Sequence, residues 1–366
     1  MKLTEIIRIL EDIAPPELAV RDDRIGLQIG DPGQDVRRVV VTVDVTPQVV
    51  NKAIQDQADL IIAHHPLIHQ PLASIRLDVH PQTLVYSLIN AGTSLYVMHT
   101  NYDSAPGGIN DVLAERLGVV DTTVLEPVHG ESRFKLTTFV PPEALEGVLN
   151  AIAEAGAGVI GNYSHCSFRV SGTGTFKPMP GAEPYTGKVG ELEQVEEFRL
   201  EVLVPECHLN DAISAMTRAH PYEEVAYDVY PLWNKGEEVG LGRYGTIEAP
   251  VSFRDFCRHV CDTLGVEDSR ISGDPDARIE KVAVLGGGGG DRVSLAHSKG
   301  VDVFVTGDVN HHQFLLAQAL GLNVIDATHF RTERPGMIAL APRLHDLLSP
   351  HGVTVEYADD VTLGGG

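Results

Sequence analysis

Three short polar clusters hold the residues best suited to chemistry, and each closes an apolar run. Leu60-Ile61-Ile62-Ala63 ends in His64-His65-Pro66. The run over 93–98 ends in His99-Thr100-Asn101-Tyr102-Asp103, and the run over 323–326 leads into a segment holding His329 and Glu333. Imidazole nitrogen and carboxylate oxygen are ligands for first-row divalent metals. Together His64, His65, Asp103, His329 and Glu333, with one carboxylate bridging, suit two metals roughly 3.5–4 Å apart with positions left for water. Four of these residues also have a plainer account. His64 and His65 can be surface residues at a strand end, His329 an ordinary strand-end histidine, and Glu333 a carboxylate favoured by a helix N-terminus.

The elements around these residues must position them. A short, wholly apolar run reads as a strand covered on both faces, and Pro66 cannot continue its ladder. His64 and His65 therefore stand at the C-terminal edge of a strand, where open α/β sheets place their ligand sites. Adjacent side chains on a strand point to opposite faces, so both imidazoles serve one site only if the backbone turns at Pro66. His329 and Glu333, four apart at a helix start, share a face. If the three strands lie in one sheet, all five groups share one edge.

Other polar residues carry weaker signals. His99 and Asp308 can orient ligand imidazoles, although Asp308 serves equally well as a cap for the helix that begins at Asn310. His311 and His312 open that helix. His99 and His312 are the candidates for moving protons, and His69 reads as a loop histidine. Gly286 to Gly290 follow a strand and precede a helix, which invites a phosphate-loop reading. A dinucleotide fingerprint starting at Gly286 needs glycine where Asp291 stands, and no Gly-Lys-Ser/Thr string follows. Close backbone packing accounts for these glycines better than an anion site at the helix N-terminus.

Composition narrows the function classes. The chain has 366 residues and a formal net charge of −23, with 43% hydrophobic and 22% charged residues. So acidic a surface repels phosphate backbones, and the lysines and arginines are scattered, which argues against nucleic acid as a partner. No apolar stretch approaches a membrane span. The N-terminal MKLTEIIRILEDIAPP has the spacing of an amphipathic helix rather than a signal peptide. Four cysteines make no disulfide framework, and Cys257 and Cys261 share one face of a helix as small packed residues. A cytoplasmic, reducing compartment follows most simply.

The apolar periodicity predicts an α/β domain over 1–125 and 250–366, interrupted by an insert over 126–249. In the insert, strand 133–140, helix 142–156, strands 167–175 and 197–204, helix 208–219 and strand 224–231 have the order βαββαβ, a ferredoxin-like arrangement. A Gly/Pro-rich loop, GTFKPMPGAEPYTGKVG, separates its central strands. That loop and GNYSHCSF suit either a small-molecule ligand or packing between subunits. The terminal DDVTLGGG reads as a frayed end.

The strings GLQIGDP, IIAHHPL, HTNYD, TGDVNHH and the TH…E ending resemble the Nif-three-like family, whose members are often labelled GTP cyclohydrolase 1 type 2 homologues. The insert, with GAGVIGNYSHCSF, GTGTFKPMPGAEP and HPYEEVAYDVYPL, resembles that of longer bacterial members carrying a PII/CutA-like domain. The resemblance implies a dinuclear metal centre on His64, His65, Asp103, His329 and Glu333, and a ring-like homo-hexamer with metal sites facing an internal cavity. Two strings depart from the family. Asp22-Asp23-Arg24 stands where a Trp-Asp-Asn string is usual, and Thr328-His329-Phe330 where Gly-His-Tyr is usual.

Two functions follow as expectations. One is a metal-dependent hydrolase using two divalent ions (zinc, iron or manganese), of the cyclohydrolase type by resemblance. The other is a non-catalytic regulatory or metal-handling scaffold with a ligand-sensing insert.

Overall fold

Burial on both faces decides where the sheets form. A computed structural model describes residues 1–359 apart from Glu131, Lys235, Glu237 and Asp268. The segment read above as a frayed end lies outside the described residues from 360 onward. In chain order the first elements are α1 (Leu3–Ile13), β1 (Gly26–Ile29), β2 (Arg38–Thr42), α2 (Pro47–Gln55), β3 (Leu60–Ala63), α3 (Gln82–Ala91), β4 (Ser94–Val97), α4 (Thr100–Ser104), α5 (Ile109–Arg116) and β5 (Val119–Gly130). Next come β6 (Arg133–Val140), α6 (Leu145–Glu154), β7 (Ser167–Phe176), β8 (Glu193–Pro205), α7 (Leu209–Ala219), β9 (Tyr227–Leu232) and β10 (Glu238–Ser252). The chain closes with α8 (Phe253–Leu264), β11 (Arg270–Ser272), β12 (Arg278–Gly288), α9 (Val293–Ser298), β13 (Val303–Gly307), α10 (His311–Leu320), β14 (Asn323–Asp326), α11 (His329–Leu348) and β15 (Thr354–Tyr357).

The chain divides into two compact units, Met1–His129 with Val239–Gly366, and Gly130–Glu238. The limits expected from sequence were 126 and 249. Residues 126–129 and 239–249 instead continue β5 and β10, which are neighbours in one sheet of the larger unit.

The larger unit holds two sheets. One has the order β1-β4-β3-β2-β15, parallel except for β1. The other has the order β11-β14-β13-β12-β10-β5, with a parallel centre of β14, β13 and β12. All four residues of β3 are buried, as a strand covered on both faces requires. A single sheet carrying the three polar strand ends is therefore not what forms. β3 and β4 belong to the first sheet and β14 to the second. The long helix α11 joins them: Met337, Leu340, Leu344 and Leu348 are buried in one cluster with Val39 and Val41 of β2 and Leu60 and Ile62 of β3. Truncating one such leucine to alanine costs about 2–5 kcal/mol.

Caps fix the helices that matter here. Thr46 accepts a hydrogen bond from the Val49 N–H, with Pro47 opening α2. Asn310 and Gln313 form a reciprocal capping box at α10. Asn310, not Asp308, is thus the cap.

In the smaller unit the strand order is β7-β8-β6-β9, antiparallel throughout. Helices α6 and α7 supply Val148, Ile152 and Met216 to a core shared with Leu136, Leu200 and Val202. No described helix is long and apolar enough to cross a membrane.

Candidate metal centre

The chain leaving β3 stays beside β2 for two more residues, with the His64 N–H on the Thr42 carbonyl and the His65 N–H on the Val43 carbonyl. Pro66 then diverts it. Within that turn the two rings come to lie on one side, with centroids 4.9 Å apart. Asp103 arrives on α4, one turn after His99, and its carbonyl accepts from the Asn110 side chain. His329 and Glu333 occupy the first turns of α11, and Glu333 is only 3% exposed.

The five groups converge. Glu333 Oε1 lies 3.4 Å from His64 Nε2 and 3.1 Å from His329 Nε2. Glu333 Oε2 lies 3.2 Å from His65 Nε2, and Asp103 Oδ1 lies 3.7 Å from His64 Nε2. His65 Nε2 and His329 Nε2 are 3.2 Å apart. Glu333 therefore does not act as a helix cap. It is the hub of the cluster.

The opposite ring nitrogens are all engaged. His64 Nδ1 donates to the Met98 carbonyl at 2.9 Å, His65 Nδ1 to Asp44 at 2.8 Å, and His329 Nδ1 to Asp308 at 2.7 Å. His99 Nδ1 donates to Asp23 at 2.8 Å, and Asp23 also accepts from Thr100. With Nδ1 as the donor, each ring presents the Nε2 lone pair inward, the form in which imidazole binds a cation. His99 thus stands among the histidines it was expected to orient: its ring is 5.1 Å from that of His64 and 5.6 Å from that of His65. His312 differs. It is exposed on the first turn of α10 against His311, in neither group of convergent ligands.

Buried, unpartnered polar atoms mark the centre. His64 Nε2, Asp103 Oδ1 and Glu333 Oε2 are all buried and have no hydrogen-bond partner outside the cluster of candidate ligands. Such atoms are rare in folded proteins and call for a proton or a cation. Two groups of side chains, His64-His65-His99 and His65-His329-Glu333, can each hold a metal, with ligand atoms within 4.8 Å of one another. The donor set of imidazoles and carboxylates fits a divalent ion of the first transition row.

Electrostatics among these side chains show the same convergence. Burial opposes charge on His65, but Glu333 and Asp44 outweigh it and raise the imidazole to about 10. His329 is raised to about 9, burial again being overcome by Glu333 and Asp308. Burial lifts the Asp103 carboxyl to about 6 against the pull of His64. Glu333, though buried, is held well below the ordinary carboxylate range by His64, His65 and His329.

The glycine run packs the back of this site. Gly287 has φ +73°, and a Cβ there would stand 2.3 Å from Glu333 Oε1 and 3.2 Å from His329 Nε2. Its N–H donates to Thr332 Oγ1. In front lies a cleft of about 1060 Å³ whose lining includes Asp44, His65, His69, His99, His329 and Phe330.

Sequence reasoning named Asp308 as a residue that could orient a ligand imidazole but missed two other aspartates that do so, Asp44 and Asp23. Asp44 closes the apolar run of β2 and Asp23 sits in a loop, where aspartate is an ordinary turn residue. Asp326 was also missed. Its oxygens accept from the N–H groups of Val309 and Thr328 and pair with Arg270, tying together the loops that carry Asp308 and His329.

With this geometry in view, likeness to known proteins is specific. A family model described as Duf34/NIF3 (NGG1p interacting factor 3) matches residues 1–360. The chain belongs to this family. A relative from Bacillus subtilis (strain 168), named GTP cyclohydrolase 1 type 2 homolog, is 45% identical over 326 residues, 89% of this chain and 87% of the relative. One from Mycobacterium tuberculosis (strain ATCC 25618 / H37Rv) bears the same name and is 39% identical over 351 residues, 94% of this chain and 92% of its own length. Among solved structures, a Bacillus cereus protein related to NIF3 superposes with a TM-score of 0.87 at 43% identity, covering 98% of this chain and 96% of the other. The mixed α/β fold with several separate sheets is therefore one shared within the Duf34/NIF3 family.

Proposed function

We propose that this protein holds two divalent metal ions and uses them to hydrolyse a small substrate. The observation that carries this reading is a set of buried atoms, His64 Nε2, Asp103 Oδ1 and Glu333 Oε2, that have no partner outside the candidate ligands and stand beside His65, His99 and His329, which line an open cleft. His64, His65, Asp103, His329 and Glu333 would hold the ions, with Glu333 between them. When bound, such ions polarise a substrate oxygen and bring the pKa of a bound water towards neutrality. The chain's own contribution is orientation. Asp44, Asp308 and the Met98 carbonyl hold three rings in one tautomer, and Val45, Leu67, Leu72 and Phe330 supply apolar walls that limit water in the cleft. His99, with Nδ1 on Asp23, keeps Nε2 as the atom able to take or return a proton. The name carried by the relatives makes a purine-type ring a reasonable member of the substrate panel.

The arrangement of the smaller unit, βαββαβ with its central strands paired as observed, supports a ferredoxin-like insert of the PII/CutA kind. A cytoplasmic homo-hexamer remains part of this proposal, supported by the family resemblance.

One observation favours a second reading, a regulatory or metal-handling scaffold. The titratable groups at the centre, His99 included, are themselves candidate ligands or their partners, so no separate acid or base stands out. Turnover by metal-loaded protein on a panel of esters, phosphates and nucleotides decides between the two. Hydrolysis that disappears in Glu333→Ala and His65→Ala supports the enzyme, and metal without turnover on any member supports the scaffold.

A further inference from the structure

The unit Gly130–Glu238 has a cavity of its own, about 460 Å³, which is the scale of a small-molecule site. It lies between the end of β7, the loop that follows, β8 and the segment after α7. One of its walls is Glu197, only 8% exposed. Tyr222 Oη donates to Glu197 Oε1 at 2.9 Å, and among the described residues this is the one hydrogen bond to that carboxylate. Oε2 lies against Gly174, where a Cβ would stand 2.1 Å from it. Glycine at 174 thus makes room for the second carboxylate oxygen, which has no donor among the described residues and stays accessible from the cavity. On a residue so little exposed, that oxygen is placed to accept from a donor that enters the cavity.

The walls around it are aromatic. Phe139, Phe176, Tyr185 and Tyr222 all line the cavity, and the Tyr185 and Tyr222 rings are 5.9 Å apart. Tyr222 is held in place from behind: its N–H donates to His220 Nδ1 at 3.2 Å, while His220 Nε2 donates to the Phe139 carbonyl at 3.0 Å. Charge points the same way. Glu197, Glu223 and Glu224 line the space against a single cation, Lys177, which is exposed while Glu197 is buried. Glu223 and Glu224 are exposed, and Glu223 already accepts from the Glu183 N–H, so Glu197 is the buried carboxylate of the lining.

We propose that this unit binds a small organic cation, a primary ammonium or guanidinium on an apolar body. Its charged end sits on Glu197 and its body lies against the aromatic wall formed by Tyr185 and Tyr222. Charge-assisted hydrogen bonds to the carboxylate and cation–π attraction to the tyrosine faces supply the recognition.

The test is calorimetric titration of the full-length protein with tyramine and agmatine, using N-acetyltyramine and inorganic phosphate as neutral and anionic controls. Saturable binding of at least one amine, with none of N-acetyltyramine, is expected. In Glu197→Gln, which keeps an acceptor for Tyr222, affinity should fall at least about tenfold. Gly174→Ala, which fills the space beside Oε2, should lose binding. Tyr185→Ala alters an exposed wall outside the core, so weakened binding there supports the site even if the other variants fold poorly. Metal content should be the same in all these proteins. Failure of both amines to bind the wild type, equal binding by Glu197→Gln and Tyr185→Ala, or a preference for phosphate would overturn the proposal.

Discussion

The Nε2 atoms of His65 and His329 face each other at 3.2 Å, although the residues are 264 positions apart and follow strands of different sheets. Each ring is held from behind by an aspartate, Asp44 on His65 and Asp308 on His329. Two imidazole nitrogens with inward lone pairs repel one another unless a proton or a metal ion sits between or beside them. The fold therefore maintains a contact that only a cation makes favourable.

Asp44→Asn and Asp308→Asn should each weaken metal binding by about 10–100-fold, because the ring they orient loses its fixed tautomer and part of its basicity. Both carboxylates are partly exposed, so the fold should survive. Competition with a chelator, alongside thermal unfolding of the metal-free proteins, measures the two effects separately.

Glu333→Gln should cost more than either aspartate, because Glu333 meets three histidines at once. A loss of metal affinity beyond about 100-fold is expected, larger than the usual effect of an outer partner. Equilibrium dialysis against a chelator-buffered metal series gives the value. An affinity within threefold of wild type, roughly 0.6 kcal/mol, would remove Glu333 from the ligand set.

The pH dependence has a definite sign. His65 and His329 are raised to about 10 and about 9 in the metal-free protein. Their contribution to stability is fully present below the unfolded imidazole value of about 6.5 and lost as pH rises through 9 to 10. Glu333 is depressed, so its contribution is present above the unfolded value of about 4.3 and lost as pH falls further. Metal must displace the protons on His65 and His329, so apparent affinity should rise with pH between 6 and 9. Calorimetry in buffers of different ionisation enthalpy should show proton release on binding; no release would contradict the assignment of these rings.

Gly287→Ala places a methyl group where Glu333 Oε1 now lies, at a backbone φ of +73°. Backbone strain alone is worth about 1–2 kcal/mol, and displacement of Glu333 adds to it. Lower thermal stability together with reduced metal content is expected. Gly321→Ala shares the positive φ but meets no neighbour, so it should lower stability and leave metal binding intact.

Much of this centre was legible in the sequence because its ligands close apolar runs. β3, β4 and β14 are buried along their whole length, so their ends stand out where His64, His99 and the segment before His329 begin. The weaker strands were not legible. β1 holds Gln28 and pairs at a sheet edge, β11 has three residues, and β5 is interrupted by charges and Pro127. Nor does any local pattern state which strands pair, so the division into two sheets joined by α11 had to come from the packing itself. Two of the three orienting aspartates, Asp23 and Asp44, stayed hidden for a related reason: the contacts Asp23–His99 and Asp44–His65 span 76 and 21 positions.

The most direct measurement is the metal content per chain of wild-type protein prepared under metal-replete conditions, with anomalous diffraction from its crystals. Two ions are expected, each beside Glu333, one near His64 and Asp103 and the other near His65 and His329. A protein that carries no metal, or carries it away from these residues, would contradict the account.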